Sequence, residues 1–183
     1  QTVVVRNKNE TVFEQKSKKK IKTSGCANGT IFGDVLDKFE EKKISSKLTI
    51  NSNYFHKISK IVTSLPSLYL KAGAIHGCVL CNSVEPLVYF EDVGRHNAVD
   101  KVAGYLALEK IDTNDKILYT TGRLTSEMVI KTVIMGVPIL MSRSGFTAWG
   151  VELAKKANLT LIGRLRGARF IILSGKERII IEE

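Results

Sequence analysis

The chain has 183 residues, 44% of them hydrophobic and 25% charged. That balance excludes a mostly disordered protein, and the length suffices to bury a core without disulfide or metal staples. No apolar run approaches the roughly 18 residues of a membrane span, and the first residues contain no apolar signal-like segment.

Twenty-eight basic against 18 acidic residues give a net charge of +10. The excess is uneven: residues 1–60 hold 13 basic and 6 acidic side chains, and the remainder hold 15 and 12. Much of it is a run of lysines, Lys16, Lys18, Lys19, Lys20 and Lys22. Such a run can hold a polyanion by counterion release. It contains no aromatic side chain on which bases could stack, so it reads as a solvated linker rather than a nucleic-acid site. The cysteines are Cys26, Cys78 and Cys81. An odd count without a signal segment points to a reducing, cytoplasmic setting.

In chain order, residues 2–6 (TVVVR) predict a short strand, 16–30 a basic glycine-containing loop around Cys26, and 33–43 a short helix. Phe55, Ile58, Val62, Leu65 and Tyr69 recur at helical spacing behind N-cap residues at 51–53, and Pro66 should kink or end that helix. Residues 75–81 and 87–90 predict a β-hairpin. A helix over 96–109 follows, then a strand at 117–120, a helix at 125–135, a strand at 137–141, a helix at 147–157, and strands at 159–162 and 169–173. Residues 178–181 would add an edge strand. Alternation of this kind predicts βαβ units around a mostly parallel sheet buried on both faces. The division expected is an N-terminal region, 1–50, with a cysteine loop, and an α/β ligand-binding domain, 51–183.

In such sheets ligands sit beyond the strand C-termini, where loops enter helices. Those loops are residues 91–97, 120–127 and 142–147, and they carry Arg95, Arg123 and Arg143, each with a glycine. Helix N-termini and guanidinium groups together suit an anion. The densest polar stretch is EDVGRHNAVDK, 91–101. There Gly94 permits close backbone approach, Arg95 can grip a phosphate at two points, and His96 can move a proton near neutrality. Asp92 or Glu91 could orient either side chain, or Asp92 could cap the helix. His76 lies beside Gly73 and Gly77 and could face the same pocket.

Residues 163–169 (GRLRGAR) place Arg164, Arg166 and Arg169 between two strands. Strand alternation puts Arg164 and Arg166 on one face, and a turn at Gly167 would return Arg169 beside them, a set suited to a diphosphate. Cys78 and Cys81 have the C-x2-C spacing of a zinc clip, but on a strand they point to opposite faces, so no metal is expected there. Cys26 sits in a small-residue loop beside the lysine run, where positive surroundings favour the nucleophilic thiolate.

With these residues assembled, the chain resembles the formate dehydrogenase accessory protein family, the FdhD-type sulfur carriers. EDVGRHNAVDK at 91–101 is the longest match, supported by TSGCANG (23–29), GRLTSEMVIK (122–131), VELA (151–154) and LTLIGRLRGAR (159–169), in the family's order. The resemblance implies a cytidine-deaminase-like three-layer α/β/α domain without the deaminase zinc signature. A short α+β segment precedes it, and the further N-terminal region of the family would be truncated before Gln1. It implies a sulfurtransferase whose persulfide rides on Cys26, relaying sulfur from a cysteine desulfurase to bis-molybdopterin guanine dinucleotide, the molybdenum cofactor, for formate dehydrogenase. The cofactor-binding segment maps to Arg164, Leu165, Arg166, Gly167, Ala168 and Arg169, and a homodimer is implied. One departure matters: many members carry a second loop cysteine where this chain has Gly29, so only a one-cysteine relay fits. The alternative reading is a guanine-nucleotide-binding module that uses the same arginine loops without sulfur chemistry.

Overall fold

A computed structural model describes residues 20–22, 30–64, 68–83 and 85–181. The expected strand at 2–6 and the Cys26 loop lie outside the described residues.

The centre is a six-stranded sheet. Its strands are β4 (His76–Cys81), β5 (Pro86–Asp92), β6 (Ile117–Thr120), β7 (Ile139–Ser142), β8 (Thr160–Arg166) and β9 (Arg169–Ser174), in the spatial order β5-β4-β6-β7-β8-β9. β6, β7 and β8 are mutually parallel, as expected of strands joined through helices. β4 runs antiparallel to both β5 and β6, and β9 antiparallel to β8. The sheet is therefore mixed, with two of its five pairings parallel. β4–β5 and β8–β9 are hairpins, whose short loops cannot make a parallel crossover. Even so, β5, β6, β7 and β8 point the same way. Their C-terminal ends share one edge with the first residues of β4 and β9.

Two helical layers cover the sheet. Alternation sends Cys78, Leu80, Leu118, Leu140 and Leu161 to one face. There they meet α4 (Arg95–Leu108), α5 (Ser126–Met135) and α6 (Ala148–Lys156) through Val99, Val102, Met128, Val129 and Leu153. Phe39 of α1 (Gly33–Glu40) joins this core. Val79, Cys81, Ile117, Tyr119, Ile139, Met141 and Ile162 fill the other face against Phe55, Ile58 and Val62 of α2 (Asn53–Ser64). The three-layer α/β/α order follows from these two apolar sets. α5 ends at Gly136, whose φ of 78° lets its N–H reach the carbonyls of Thr132 and Val133.

Several expected elements differ. Part of the lysine run is not a linker: β1 (Lys20–Lys22) pairs antiparallel with β2 (Thr30–Phe32). The helix expected to kink or end at Pro66 agrees with expectation instead: α2 ends at Ser64 and a separate piece, α3 (Leu68–Ala72), follows, with residues 65–67 outside the described residues. β8 continues four residues past the expected end at 162 and takes Arg164 and Arg166 into the strand. The last strand, β10 (Ile179–Ile180), does not extend the main sheet. It pairs in parallel with β3 (Ile50–Asn51), fixed by the buried Arg178, whose guanidinium donates to the carbonyl of Ser46 and the hydroxyl of Thr160.

Candidate functional site

The shared edge gathers nearly all the candidate residues, in two groups. The first is a cleft of about 660 Å³ between the loop after β7 and the β8–β9 hairpin, lined by Arg143, Ser144, Gly145, Arg164, Arg166, Arg169, Phe170 and Ile171. The hairpin turns through only Gly167 and Ala168. Gly167 has φ +59° and Ala168 does not share the positive φ, the pattern of a type II′ turn. Arg166 and Arg169 are therefore cross-strand partners.

Arg164 joins them by a different route from the one alternation predicts. The register slips between Gly163 and Arg166, so Arg164 and Leu165 together oppose one residue of β9. Such a bulge re-aims a side chain. Arg164 adopts φ +53°, a conformation costly for a residue with a Cβ. Its N–H donates to the Ser144 carbonyl at 3.0 Å, and its guanidinium lies 5.9 Å from the Phe146 ring centroid. The same bulge turns Leu165 into the core, where it is fully buried. Among the described residues no carboxylate forms an ion pair with Arg164, Arg166 or Arg169. Gly167 and Ala168 shape the turn and do not line the cleft.

The second group lies toward the other end of the edge, where β4 begins and α4 and α5 start. His76, Arg95, His96 and Arg123 are here and not in the cleft. Arg95 is buried at 7% exposure, its stem packed on Gly122, where a Cβ would come within 2.8 Å of the Arg95 Cβ. His76 Nδ1 is 3.4 Å from the Thr121 hydroxyl, which accepts from the Gly77 N–H at 3.0 Å. Burial, with the Arg95 charge second, lowers the His76 pKa. His96 Nε2 lies 2.9 Å from Glu127 Oε2, close enough for an ion pair but not aligned as a full hydrogen bond. Burial and then Arg95 lower the His96 pKa, and Glu127 opposes them.

Asp92 orients neither Arg95 nor His96. It closes the start of α4, accepting from the Gly94 N–H and the Asn97 amide at 3.0 Å and from Lys101 Nζ at 2.8 Å. These contacts, Lys101 foremost, hold its carboxyl down to about 2. Glu91 accepts from the Tyr89 hydroxyl and the Leu68 N–H. The carboxylate that faces His96 is Glu127, which the sequence reading passed over. Its signal was its place one residue inside a helix that starts at the same edge.

The two groups share a frame. Ser142 Oγ donates to the Gly122 carbonyl at 2.6 Å and accepts from the Ser144 N–H at 2.9 Å. The Leu124 N–H bonds to Gly145, and the Thr147 N–H bonds to Leu124. The loops after β6 and β7 thus brace each other, and β4 lies about 14 Å from β8 at ~4.8 Å per strand. The Thr125 hydroxyl, at the start of α5, is buried and has no hydrogen-bond partner among the described residues.

Cys78 and Cys81 fall in opposite-face cores, so they cannot clip one metal ion together. Burial raises both thiols to about 12. Cys26 lies outside the described residues. Among the described residues no three His, Cys, Asp or Glu side chains are grouped to hold a metal, and no helix is long and apolar enough to cross a membrane.

Comparison with known proteins agrees with this frame. The sequence model of the FdhD/NarQ family matches residues 1–180. The chain is 32% identical over 161 residues to a sulfur carrier protein FdhD of Bacillus pumilus (strain SAFR-032), covering 88% of this chain and 62% of that protein. It is 33% identical over 169 residues to one of the same name from Staphylococcus aureus (strain MRSA252), covering 92% and 64%. It therefore spans a little under two thirds of these relatives' length. Among solved structures, a formate dehydrogenase accessory protein from Desulfotalea psychrophila is similar with a TM-score of 0.71 and 34% identity, over 90% of this chain and 73% of that one.

Proposed function

From the premise that the chain belongs to the FdhD/NarQ family, we propose that it is a sulfur carrier with sulfurtransferase chemistry. It takes persulfide sulfur from a cysteine desulfurase on Cys26 and passes it to bis-molybdopterin guanine dinucleotide, bound as substrate, during formate dehydrogenase maturation. The observation that carries this reading is the convergence of Arg143, Arg164, Arg166 and Arg169 on one cleft. A cleft of about 660 Å³ is of ligand size, and paired guanidinium forks match phosphate oxygens at two points each. The absence of an ion-paired carboxylate at three of the arginines, among the described residues, leaves that charge for a ligand.

The choice of Cys26 is supported by the other two thiols. Deep burial and pKa values near 12 remove Cys78 and Cys81 as nucleophiles at neutral pH. In sequence, Cys26 closely follows the lysine run, a positive neighbourhood of the kind that favours a thiolate, and with Gly29 in place of a second cysteine it is the one thiol in its loop sequence. The α/β/α layering supports a cytidine-deaminase-like domain. The same reading extends to the cytoplasm, to a homodimer, and to a ligand-binding unit over 51–183 served by the cysteine loop of 1–50.

The test is mass spectrometry after incubation with a cysteine desulfurase and cysteine. The parent should gain one sulfur, and Cys26→Ala should gain none while binding guanosine diphosphate as before. Undiminished sulfur on Cys26→Ala would overturn the assignment. The second reading, a guanine-nucleotide-binding module without sulfur chemistry, is favoured by the fact that, among the described residues, no thiol lines the arginine cleft. It requires that the parent bind guanosine diphosphate and gain no sulfur.

A further inference from the structure

Resting on the reading of the arginine cleft as a phosphate site, we propose that Phe146 is the positioning residue for Arg164. Its ring holds the guanidinium by the face and leaves the N–H edge free to grip a phosphate. The demand comes from Arg164 itself. The residue is exposed, and among the described residues its guanidinium makes no ion pair and no hydrogen bond. A long side chain left free must be immobilised when a ligand binds, and the lost freedom weakens binding. A carboxylate partner would hold the side chain but would occupy the same N–H groups that a phosphate needs. An aromatic ring meets a planar cation by its face and occupies none of its donors.

The ring stands where such a holder must be. The Arg164 guanidinium carbon lies over Phe146 at 5.9 Å from the ring centroid, within the ~6 Å reach of a cation–π contact. The bulge that re-aims Arg164 belongs to the same arrangement. The Arg164 N–H donates to the Ser144 carbonyl at 3.0 Å, so β8 is tied to the loop after β7 two residues before the ring. The other hairpin arginines are held differently. Arg166 and Arg169 are cross-strand partners beside the two-residue turn, and among the described residues neither has a ring within cation–π reach.

Phe146 is itself fixed. Its backbone forms a parallel bridge with Leu124. The Leu124 N–H donates to the Gly145 carbonyl at 2.9 Å, and the Thr147 N–H donates to the Leu124 carbonyl at 3.1 Å. The ring lies against Gly163, where a Cβ would come within 2.9 Å of the ring Cδ1 and 3.2 Å of Leu173 Cδ1. Gly163 is thus the seat of the ring, and a side chain there would displace it. Away from that seat the ring is exposed. A large apolar side chain kept in water beside three unpaired arginines has a use as the support of one of them.

The experiment is a double-mutant cycle on the full chain, read by calorimetric titration with guanosine diphosphate. Phe146→Leu should bind about 3- to 10-fold more weakly than the parent, the scale of a partly exposed cation–π contact. Phe146→Tyr keeps the ring face and should bind within about 2-fold of the parent. In the Arg164→Ala background, Phe146→Leu should change binding by less than about 2-fold, because the group it positions is gone. Equal loss in both backgrounds would show that the ring acts on the ligand or the loop directly, and would overturn the proposal. So would parental binding by Phe146→Leu, or a loss in Phe146→Tyr as large as in Phe146→Leu. Parental binding by Arg164→Ala would overturn it too, while weakened binding by Arg166→Ala would leave the cleft reading standing. Should Phe146→Leu not fold, Phe146→Met takes its place in the cycle with the same expectations. A parent that binds no guanosine diphosphate overturns the cleft reading and this one together.

Discussion

At the β8–β9 end of the shared edge, arginine side chains face a cleft, and the backbone that presents them is strained. At the β4–α4 end the charged side chains face one another: Asp92 holds Lys101, Glu127 faces His96, and the Arg95 stem is buried on Gly122. Both ends carry the glycines and arginines of a phosphate site, so composition alone does not separate them. What separates them is where the charge is satisfied. Charge paired within the protein fixes geometry and tunes protonation, whereas Arg164, Arg166 and Arg169, which form no ion pair with a carboxylate among the described residues, present their charge to the cleft.

The comparison breaks most directly at the cleft. If Arg166 holds a phosphate there, a charged hydrogen bond of about 1.5–3 kcal/mol is lost in Arg166→Ala. Guanosine diphosphate should then bind roughly 10- to 150-fold more weakly by calorimetric titration. Arg166→Lys should recover only part, because an ammonium lacks the two-point fork. Thermal stability should hardly change, since the side chain is exposed. Unchanged binding in Arg166→Ala would make the hairpin structural and dissolve the contrast.

At the other end the same kind of small change should cost stability instead. Gly122→Ala would place a methyl within 2.8 Å of Arg95 Cβ and 3.0 Å of Cδ, near the anchored base of the side chain rather than its flexible tip. Denaturant unfolding should show a loss of about 1–3 kcal/mol, the scale of overpacking. A neutral result would mean that Arg95 can swing away, and that this end is less tightly built than its contacts indicate.

The edge itself could be read in the sequence, because strands that enter helices end together and period-2 alternation is local. The same alternation put Cys78 and Cys81 on opposite faces. The features missed depend on pairings far apart in the chain. His96 and Glu127 are 31 positions apart, on two helices whose phases no single-sequence pattern relates. The β3–β10 pair joins residues about 130 positions apart. The bulge at Arg164 and Leu165 was hidden for another reason. Two arginines flanking a leucine look like strand alternation, and only the register against β9 shows the slip. The guanidinium groups meet as the alternation argument proposed, but by a route it did not contain.

That bulge gives a smaller and sharper test. Arg164 sits at φ +53°, where a Cβ costs about 1 kcal/mol or more and glycine pays little. Arg164→Gly and Arg164→Ala should lose guanosine diphosphate affinity alike, since both lack the guanidinium. Arg164→Gly should nevertheless be more stable than Arg164→Ala by about 1 kcal/mol in urea unfolding, reduced somewhat by the greater freedom of glycine in the unfolded chain. Equal stability would show that the conformation is relaxed, and that the cleft does not hold strain for its ligand's sake.

The smallest effect belongs to Asp92, and its sign follows from its partners. Lys101 first, then the Gly94 N–H and the Asn97 amide, hold the folded carboxyl down to about 2, against an unfolded value of about 3.9. A depressed carboxyl stabilises the folded state above its unfolded pKa, and that stabilisation fades as pH falls through the folded one. Asp92→Asn should therefore be less stable than the parent at about pH 6, and the gap should close as pH falls from about 4 toward about 2. Because the carboxylate and Lys101 are near solvent, the gap should also shrink in high salt. Urea unfolding of both proteins along that pH series measures it. A gap that stays constant with pH would mean that Asp92 acts through neutral hydrogen bonds at the start of α4, and that internal charge pairing is not what sets this end of the edge apart.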